Sequence, residues 1–404
     1  MEHEPIVVTG AGCVSALGHS VEAFWSALQD GRCGIGKLDK SAPSDLKVSI
    51  VGAIPAPDPR HMLDARRLPT LDRFSVLAIV AAQQALAQSG LSLENGHRTG
   101  CVVGVGTAGG EAIEELYRKI YLEGAKRANV FTVPRVMPSA PASQISMAYG
   151  IRGPVFTVSS ACASSNHAIA TAVWLLRNSV IDAAIVGGTE APLTYGILKA
   201  WEALRVMAPD TCRPFDRRRR GLVLAEGAGM VVLERADHAK ARGAEILAQI
   251  AGVGMSADAA DLVAPTLEGA ASAIRACLAD ANLSVDAIDY INAHGTGTVA
   301  NDITEINVIK TVFGDEAKRL SISSTKSMHG HALGASGSLE LIAVIEAIRR
   351  GIVPPTINIE EIDPECDLDV TPGCARARPI RAAVSNSFAF GGTNAVVAVK
   401  RFDG

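Results

Sequence analysis

No two of the eight cysteines in this chain stand at C-x-x-C spacing. That excludes the usual disulfide framework and a cysteine zinc site, and it predicts a reducing, cytoplasmic setting. No apolar run approaches the roughly 20 residues that span a bilayer. The opening Met1-Glu2-His3-Glu4-Pro5 has neither a basic nor an apolar signal region. The net charge is only −4, so no global field points to nucleic acid. Aromatic residues make up 4%, and no G-K-[ST] phosphate loop occurs. A Pro/Ser-rich linker is also missing, which predicts two intimately packed halves and not separate beads.

Apolar residues are abundant at 48%, with alanine, glycine and valine supplying much of the bulk. Small residues suit helices packed closely on a buried sheet. The 404 residues suffice for two domains or one large α/β unit. Residues 5–9 read as a strand and Gly10-Ala11-Gly12 as the turn after it. Helices are expected at 21–28 and at 73–88, the second rich in alanine and closed by Gly90. Further strands are expected at 100–105, 155–158, 183–186 (ended by Gly187-Gly188) and 230–234. A second series starts near residue 250, with helices at 270–281, 302–313 and 338–350. Its strands fall at 288–293, 320–323, 382–387 and 395–400. Asp302 and Glu305 have the spacing of a capping box. Alternating strands and helices predict a layered α/β fold.

Cys162 is the most informative residue. It lies between the β-branched stretch 155–158 and a helical stretch, 163–177. Free N–H groups and a helix dipole at such a turn favour a negative sulfur, so a lowered thiol pKa is expected there. Gly104-Val105-Gly106-Thr107-Ala108-Gly109 matches G-x-G-x-x-G, but no acidic residue ends a second strand about 20 residues on, as a dinucleotide site requires.

Three further segments follow strands and carry functional groups among small residues. They are 292–298 with His294, 324–335 with Lys326 and His331, and 385–394 with Phe390. Loops at strand ends converge in α/β proteins. His3, His19, His61, His97, His167, His238 and His329 read as structural or solvated. His294 and His331 differ because glycines surround both and admit a substrate. Two neutral imidazoles aimed at one point can hold a thioester carbonyl and the enolate formed from it. Lys326 would orient the loop, with Glu340 as its carboxylate partner.

Ser160-Ala161-Cys162-Ala163-Ser164, His294-Gly295-Thr296-Gly297-Thr298, the 326–331 segment and the 386–394 segment resemble the β-ketoacyl-acyl carrier protein synthase family, type II branch. The resemblance covers the whole chain, and stretches at 199–204, 208–215 and 367–372 are similar to the nodulation protein E branch. It implies a thiolase-like fold, a five-layered α-β-α-β-α sandwich of two similar halves, 1–251 and 252–404, with the nucleophilic cysteine in the first and the histidines in the second. A homodimer is implied as well, with acyl carrier protein as partner. Neither cofactor nor metal is implied, since phosphopantetheine arrives on the carrier.

By the same resemblance, Cys162 carries an acyl chain, and the N–H groups of Cys162 and Phe390 form an oxyanion hole with the Gly391-Gly392 turn. His294 and His331 hold the malonyl thioester carbonyl, and Thr296 and Thr298 meet the pantetheine arm. Ala108 and Thr132 stand where bulkier groups are usual, implying a wide acyl pocket. Ala389 replaces a usual glycine, implying either a stiffer Phe390 loop or a different path for it. Arg66, Arg67, Lys126, Arg127 and Arg205 are the candidates for steering an acidic carrier. The Arg217–Arg220 run reads equally well as a solvated turn.

Two rivals remain. A thiolase would need a second cysteine as base, but Cys366 and Cys374 lie outside any strand-end glycine motif. A non-catalytic subunit of a synthase pair would usually lose the cysteine, and here Cys162, His294 and His331 are all kept.

Overall fold

A computed structural model of the protein describes residues 4–38, 45–94 and 96–404. His3 lies outside them. The first half contributes strands β1 (Ile6–Val14), β2 (Thr99–Gly104), β3 (Val155–Val158), β4 (Ala183–Glu190) and β5 (Gly227–Arg235). The second contributes β6 (Ala248–Ala257), β7 (Tyr290–Asn292), β8 (Ser321–Ser323), β9 (Ala382–Ala389) and β10 (Thr393–Lys400). Hydrogen bonds order them β8-β7-β9-β10-β6-β1-β5-β4-β2-β3.

Followed outward from the β1–β6 junction, the two arms have the same plan. Each begins with two antiparallel pairings, β1–β5–β4 on one side and β6–β10–β9 on the other. Each ends with two parallel pairings, β4–β2–β3 and β9–β7–β8. Among the described residues the strands of the two arms pair with each other only where Ile6–Val8 pairs with Ala248–Ile250. The 251/252 division falls inside β6, and the repeat restarts at its first residue, Ala248.

Nine helices are relevant here: α1 (Val21–Gln29), α2 (Arg73–Ser89), α3 (Gly110–Tyr117), α4 (Ala140–Tyr149), α5 (Ser164–Arg177), α6 (Tyr195–Leu204), α7 (Leu267–Ala281), α8 (Val299–Phe313) and α9 (Ser336–Arg350). Three apolar clusters define the layers. Phe74, Leu77 and Ile145 of α2 and α4 pack on Val103 and Ile185 of the first arm. Ile169 and Val173 of α5 and Leu339, Ile342 and Ile345 of α9 lie between the arms, touching Val186 and Leu233 on one side and Val397 and Val399 on the other. Ile274 of α7 and Ile306 and Ile309 of α8 cover the far face of the second arm, against Ile291 and Val384. These are the five layers, α-β-α-β-α, with α5 and α9 in the middle. The middle helix α9 is buried from Ser336 to Ile348, which no single apolar face requires and a central layer does.

Two expectations fail. Gly10-Ala11-Gly12 is not a turn, because β1 runs through it to Val14. Gly187 and Gly188 likewise lie within β4. The glycines allow close approach: a Cβ on Gly10 or Gly12 would strike the carbonyls of Ala85 or Ala81 in α2, and one on Gly187 would strike the Gly229 carbonyl in β5. Among the described residues no helix is long and apolar enough to cross a membrane.

Candidate active site

Cys162 sits in a single 3₁₀ turn, Ala161–Ala163, between β3 and α5. The turn is tight. Ala161 has a left-handed backbone, φ 50°, which costs a residue with a Cβ some strain. Ser164 secures it, accepting from the Ser160 N–H (2.9 Å) and donating to the Ala161 carbonyl (2.7 Å). His167 braces the same turn through Nδ1, 2.8 Å from Ser160 Oγ, which is the structural part read for it from sequence.

His331 reaches the cysteine from the other half of the chain. Its N–H donates to the Val223 carbonyl (2.7 Å) and its carbonyl accepts from Ala225 (2.9 Å), so its backbone is pinned. Its Nε2 stands 3.0 Å from Cys162 Sγ and its Nδ1 2.8 Å from Ser336 Oγ. The His294 ring lies edge-on to the His331 ring, with centroids 5.5 Å apart. Its loop is held by Glu305, whose two oxygens accept the N–H groups of His294 and Gly295, each at 2.8 Å. Lys326 Nζ donates to the His294 carbonyl (2.7 Å) and pairs with Glu340, and both charged side chains are fully buried. Cys162, His294, His331, Thr296, Thr298 and Phe390 all line one cavity of about 120 Å³.

Burial, aided by the Lys326 cation, holds His294 and His331 well below the usual imidazole range, so both are neutral donors or acceptors. Burial also raises Glu340 to about 7 while Lys326 pulls it down. The lowered thiol pKa expected for Cys162 is not found. Burial pushes it up to about 12, with the Lys326 cation acting the other way. The regular turns of α5 start two residues beyond the sulfur, at Ser164, so desolvation wins over the helix terminus. A thiolate here needs a specific partner, and His331 Nε2 is the group in contact.

Other expected residues separate into those at the cavity and those elsewhere. Thr296 and Thr298 are joined hydroxyl to hydroxyl at 2.8 Å. Phe390 stacks on Trp201 of α6, with centroids 5.9 Å apart. Gly391 (φ 83°) and Gly392 (φ 66°) make the left-handed turn after it. The Gly391 N–H is already given to the Leu262 carbonyl at 2.7 Å. Ala389 ends β9 opposite Thr393 and is not among the left-handed residues, so the glycine it replaces is not needed and the expected stiffening has no backbone cause.

Ala108 and Thr132 do not line the Cys162 cavity. Ala108 (φ 68°) instead lines a separate, open groove of about 1000 Å³ beside Tyr117, Tyr121 and Ile197. Thr132 is buried at the start of a short helix, Thr132–Val136. Of the docking candidates, Arg205 ends α6 beside the cavity residue Val206. Arg66 pairs with Asp64 at 2.6 Å, Arg67 donates to the Gln144 carbonyl at 3.2 Å, and Lys126 and Arg127 lie on the surface.

Two readings need correction. Asp302 and Glu305 are not a capping box, since α8 starts at Val299. Asp302 accepts instead from the N–H groups of Phe215 (2.9 Å) and Gly297 (3.2 Å). The solvated-turn reading fails for Arg219, which is buried between Asp302 (3.2 Å) and Asp363 (2.6 Å). Sequence reasoning passed over Ser336, Glu305 and Trp201, and of these only the Asp302/Glu305 spacing left a signal.

Cys366 is buried in the second arm's outer core, Cys374 is exposed, and neither lines the Cys162 cavity, so no cysteine base of the thiolase kind stands there. The "Beta-ketoacyl synthase, N-terminal domain" family model matches residues 3–239, and the "Beta-ketoacyl synthase, C-terminal domain" model matches residues 247–360. The chain belongs to the β-ketoacyl synthase family. It is 54% identical to nodulation protein E of Rhizobium sp. (strain N33), over 98% of this chain and 99% of that one. It is 38% identical to 3-oxoacyl-[acyl-carrier-protein] synthase 2 of Synechocystis sp., over 100% of this chain and 99% of that one. Among solved structures, a type II polyketide acyl-carrier protein in complex with its hexaketide-bound ketosynthase matches with a TM-score of 0.92 and 30% identity, over the full length of both chains. As a β-ketoacyl synthase the chain is a condensing enzyme, an acyltransferase with the thiolase-like fold.

Proposed function

We propose that this synthase runs two half-reactions through Cys162. In the first, Sγ attacks the thioester carbonyl of an acyl-carrier protein. The oxyanion is held by the N–H groups of Cys162 and Phe390, and the carrier's thiol leaves. In the second, a malonyl-carrier protein enters past Thr296 and Thr298. His294 and His331 donate to its thioester carbonyl, carbon dioxide leaves, and the carbanion attacks the acyl-Cys162 carbonyl. The product is a β-ketoacyl-carrier protein two carbons longer. Decarboxylation itself supplies the carbanion, so the scheme calls on no redox cofactor and no metal. The observation that carries this reading is the contact of His331 Nε2 with Cys162 Sγ at 3.0 Å, with His294 beside His331 in the same cavity.

The carrier partner is supported by the complex of a related ketosynthase with its acyl-carrier protein. Arg205, at the cavity's edge, is the cation best placed to meet an acidic carrier. A cytoplasmic setting is supported by eight free cysteines, two of them exposed. A homodimer is supported by two features. Strand β3 ends the sheet with half-buried residues and an open edge, and Leu122 and Val130 of the segment before it are 82% and 83% exposed.

The test is incubation with an acyl-carrier protein series and malonyl-carrier protein, read by mass spectrometry. Acyl label on the Cys162 peptide and a β-ketoacyl product two carbons longer are expected. Turnover without label on Cys162 overturns the reading.

A further inference from the structure

Glu190 ends β4 fully buried, and neither half-reaction uses it. Its carboxylate is surrounded by donors. Oε2 accepts the N–H of Gly106 (2.7 Å) and of Gly334 (3.0 Å). Oε1 accepts the N–H (3.0 Å) and the hydroxyl (2.7 Å) of Thr107. A protonated carboxyl would waste one of these places, so the ionised form is the one the setting satisfies. Burial raises its pKa above the ordinary carboxyl value, and these four bonds act against that rise.

The two segments joined by Glu190 flank the nucleophile. Gly106 and Thr107 lead into Ala108, in the wall of the open groove. Gly334 follows Leu333, left-handed at φ 44°, which shares an apolar cluster with Cys162. Gly334 also stands between His331 and the Ser336 that holds its Nδ1. The fit leaves no slack, since a Cβ on Gly106 or Gly334 would strike the Glu190 carboxylate.

We propose that Glu190 is a positioning residue for Cys162: its carboxylate locks the Ala108 loop to the turn that carries Leu333. The proposal rests on Cys162 as the acyl-carrying nucleophile. The ionisable groups facing Cys162 are Lys326 from the segment after β8, Glu340 from α9, the neutral His331 and His294, and Glu190 from β4. His167 lies further along α5 and is engaged with Ser160. The negative charge of Glu190 opposes ionisation of the thiol, and the Lys326 cation favours it.

The test is Glu190→Gln in the full chain. Alkylation of Cys162 by iodoacetamide is followed by peptide mass spectrometry over a pH series, beside condensation assays. Removal of the charge is expected to move the alkylation profile to lower pH by about half a unit, so that Cys162 reacts about threefold faster at neutral pH. Condensation is expected to fall about tenfold, because the amide nitrogen cannot accept from Gly106 or Gly334. A merely structural residue would slow both reactions and leave the profile in place. A folded Glu190→Gln protein with the wild-type alkylation profile overturns the proposal. If that variant does not fold, Glu190→Asp decides. It keeps the charge and withdraws it by one methylene, so an unshifted profile with condensation down about tenfold supports the proposal, and wild-type condensation overturns it. Absence of acyl label on wild-type Cys162 is a separate result, and it would count against the two half-reactions.

Discussion

The imidazole of His331 touches the Cys162 thiol, Nε2 to Sγ at 3.0 Å, across 169 residues of sequence. Among the described residues His294 has no such hydrogen bond to the sulfur; its ring stands edge-on to that of His331, with centroids 5.5 Å apart. The two histidines, paired in the sequence reading as equal donors to one carbonyl, are therefore not equivalent. His294→Ala is expected to keep most acyl transfer to Cys162 and to lose malonyl decarboxylation by about 10²–10³. His331→Ala is expected to lose both. Separate assays of the two half-reactions check this, and equal behaviour of the two variants would contradict the geometry.

Ser336 fixes which nitrogen of His331 carries the proton. Its hydroxyl has Nδ1 as partner at 2.8 Å, and a hydroxyl that accepted there would leave its own buried proton without an acceptor. The hydroxyl therefore donates, Nδ1 accepts, and Nε2–H points at the sulfur. Ser336→Ala is expected to cost about 10-fold or more in decarboxylation. Nitrogen-15 shifts of labelled histidine should show Nδ1 unprotonated in the wild type and a mixture of tautomers in the variant. A protonated Nδ1 in the wild type would make His331 the base for Cys162 instead.

The Lys326–Glu340 pair is fully buried, so breaking it leaves a charge without solvent or partner. Lys326→Met is expected to lower unfolding stability by about 3–5 kcal/mol. The double variant Lys326→Met/Glu340→Leu should lose less than the single one, because no orphan carboxylate remains. Urea midpoints decide it, and a double variant at the sum of the two single losses would argue against a coupled pair.

Neutral buried histidines make the fold acid-sensitive. His329 is held to about 3 by burial, and His294 and His331 are also held well below the usual range. All three are depressed bases, so the unfolded chain binds the extra protons. Their stabilisation is complete above the unfolded value, near 6.5, and is lost as pH falls below it. Each imidazole still neutral at pH 5 then costs about 2 kcal/mol relative to pH 7. Glu340, raised to about 7, works with the opposite sign: its contribution is lost as pH rises through that value. A urea midpoint that stays flat from pH 7 to pH 5 would contradict the buried neutral state.

How much of this was legible in the sequence depends on what held each residue. Cys162, His294, Lys326 and His331 each follow a strand and sit among small residues, so their place at one site could be read from local pattern. Glu340 could be read only as a partner for Lys326. Ser336 stands five residues after the His331 it holds, but its hydroxyl matches no motif. Glu190 acts through contacts across the fold, with Gly106, Thr107 and Gly334, and nothing in its own neighbourhood marks it. The glycines at 10 and 12 misled for the same reason. Their cause is the backbone of α2, about 70 residues away in sequence, and not a local turn. The Cys162 pKa was misread because helix position shows in sequence and desolvation does not.

The open edge of β3 and the apolar surface before it lead to the last prediction. Leu122 is 82% exposed, so Leu122→Asp removes nothing from the core and should change the stability of one subunit by less than about 0.5 kcal/mol. In a homodimer closed over this surface the same aspartate would be buried without a partner, at a cost of several kcal/mol. Sedimentation velocity is expected to show a dimer for the wild type and a shift toward monomer for Leu122→Asp at equal concentration. The Ala108 groove lies on this side of the molecule, with Leu122 in its rim, so a second copy seated there would also cover the groove. A wild-type protein that sediments as a monomer would remove the homodimer and with it any role for a partner in closing that groove.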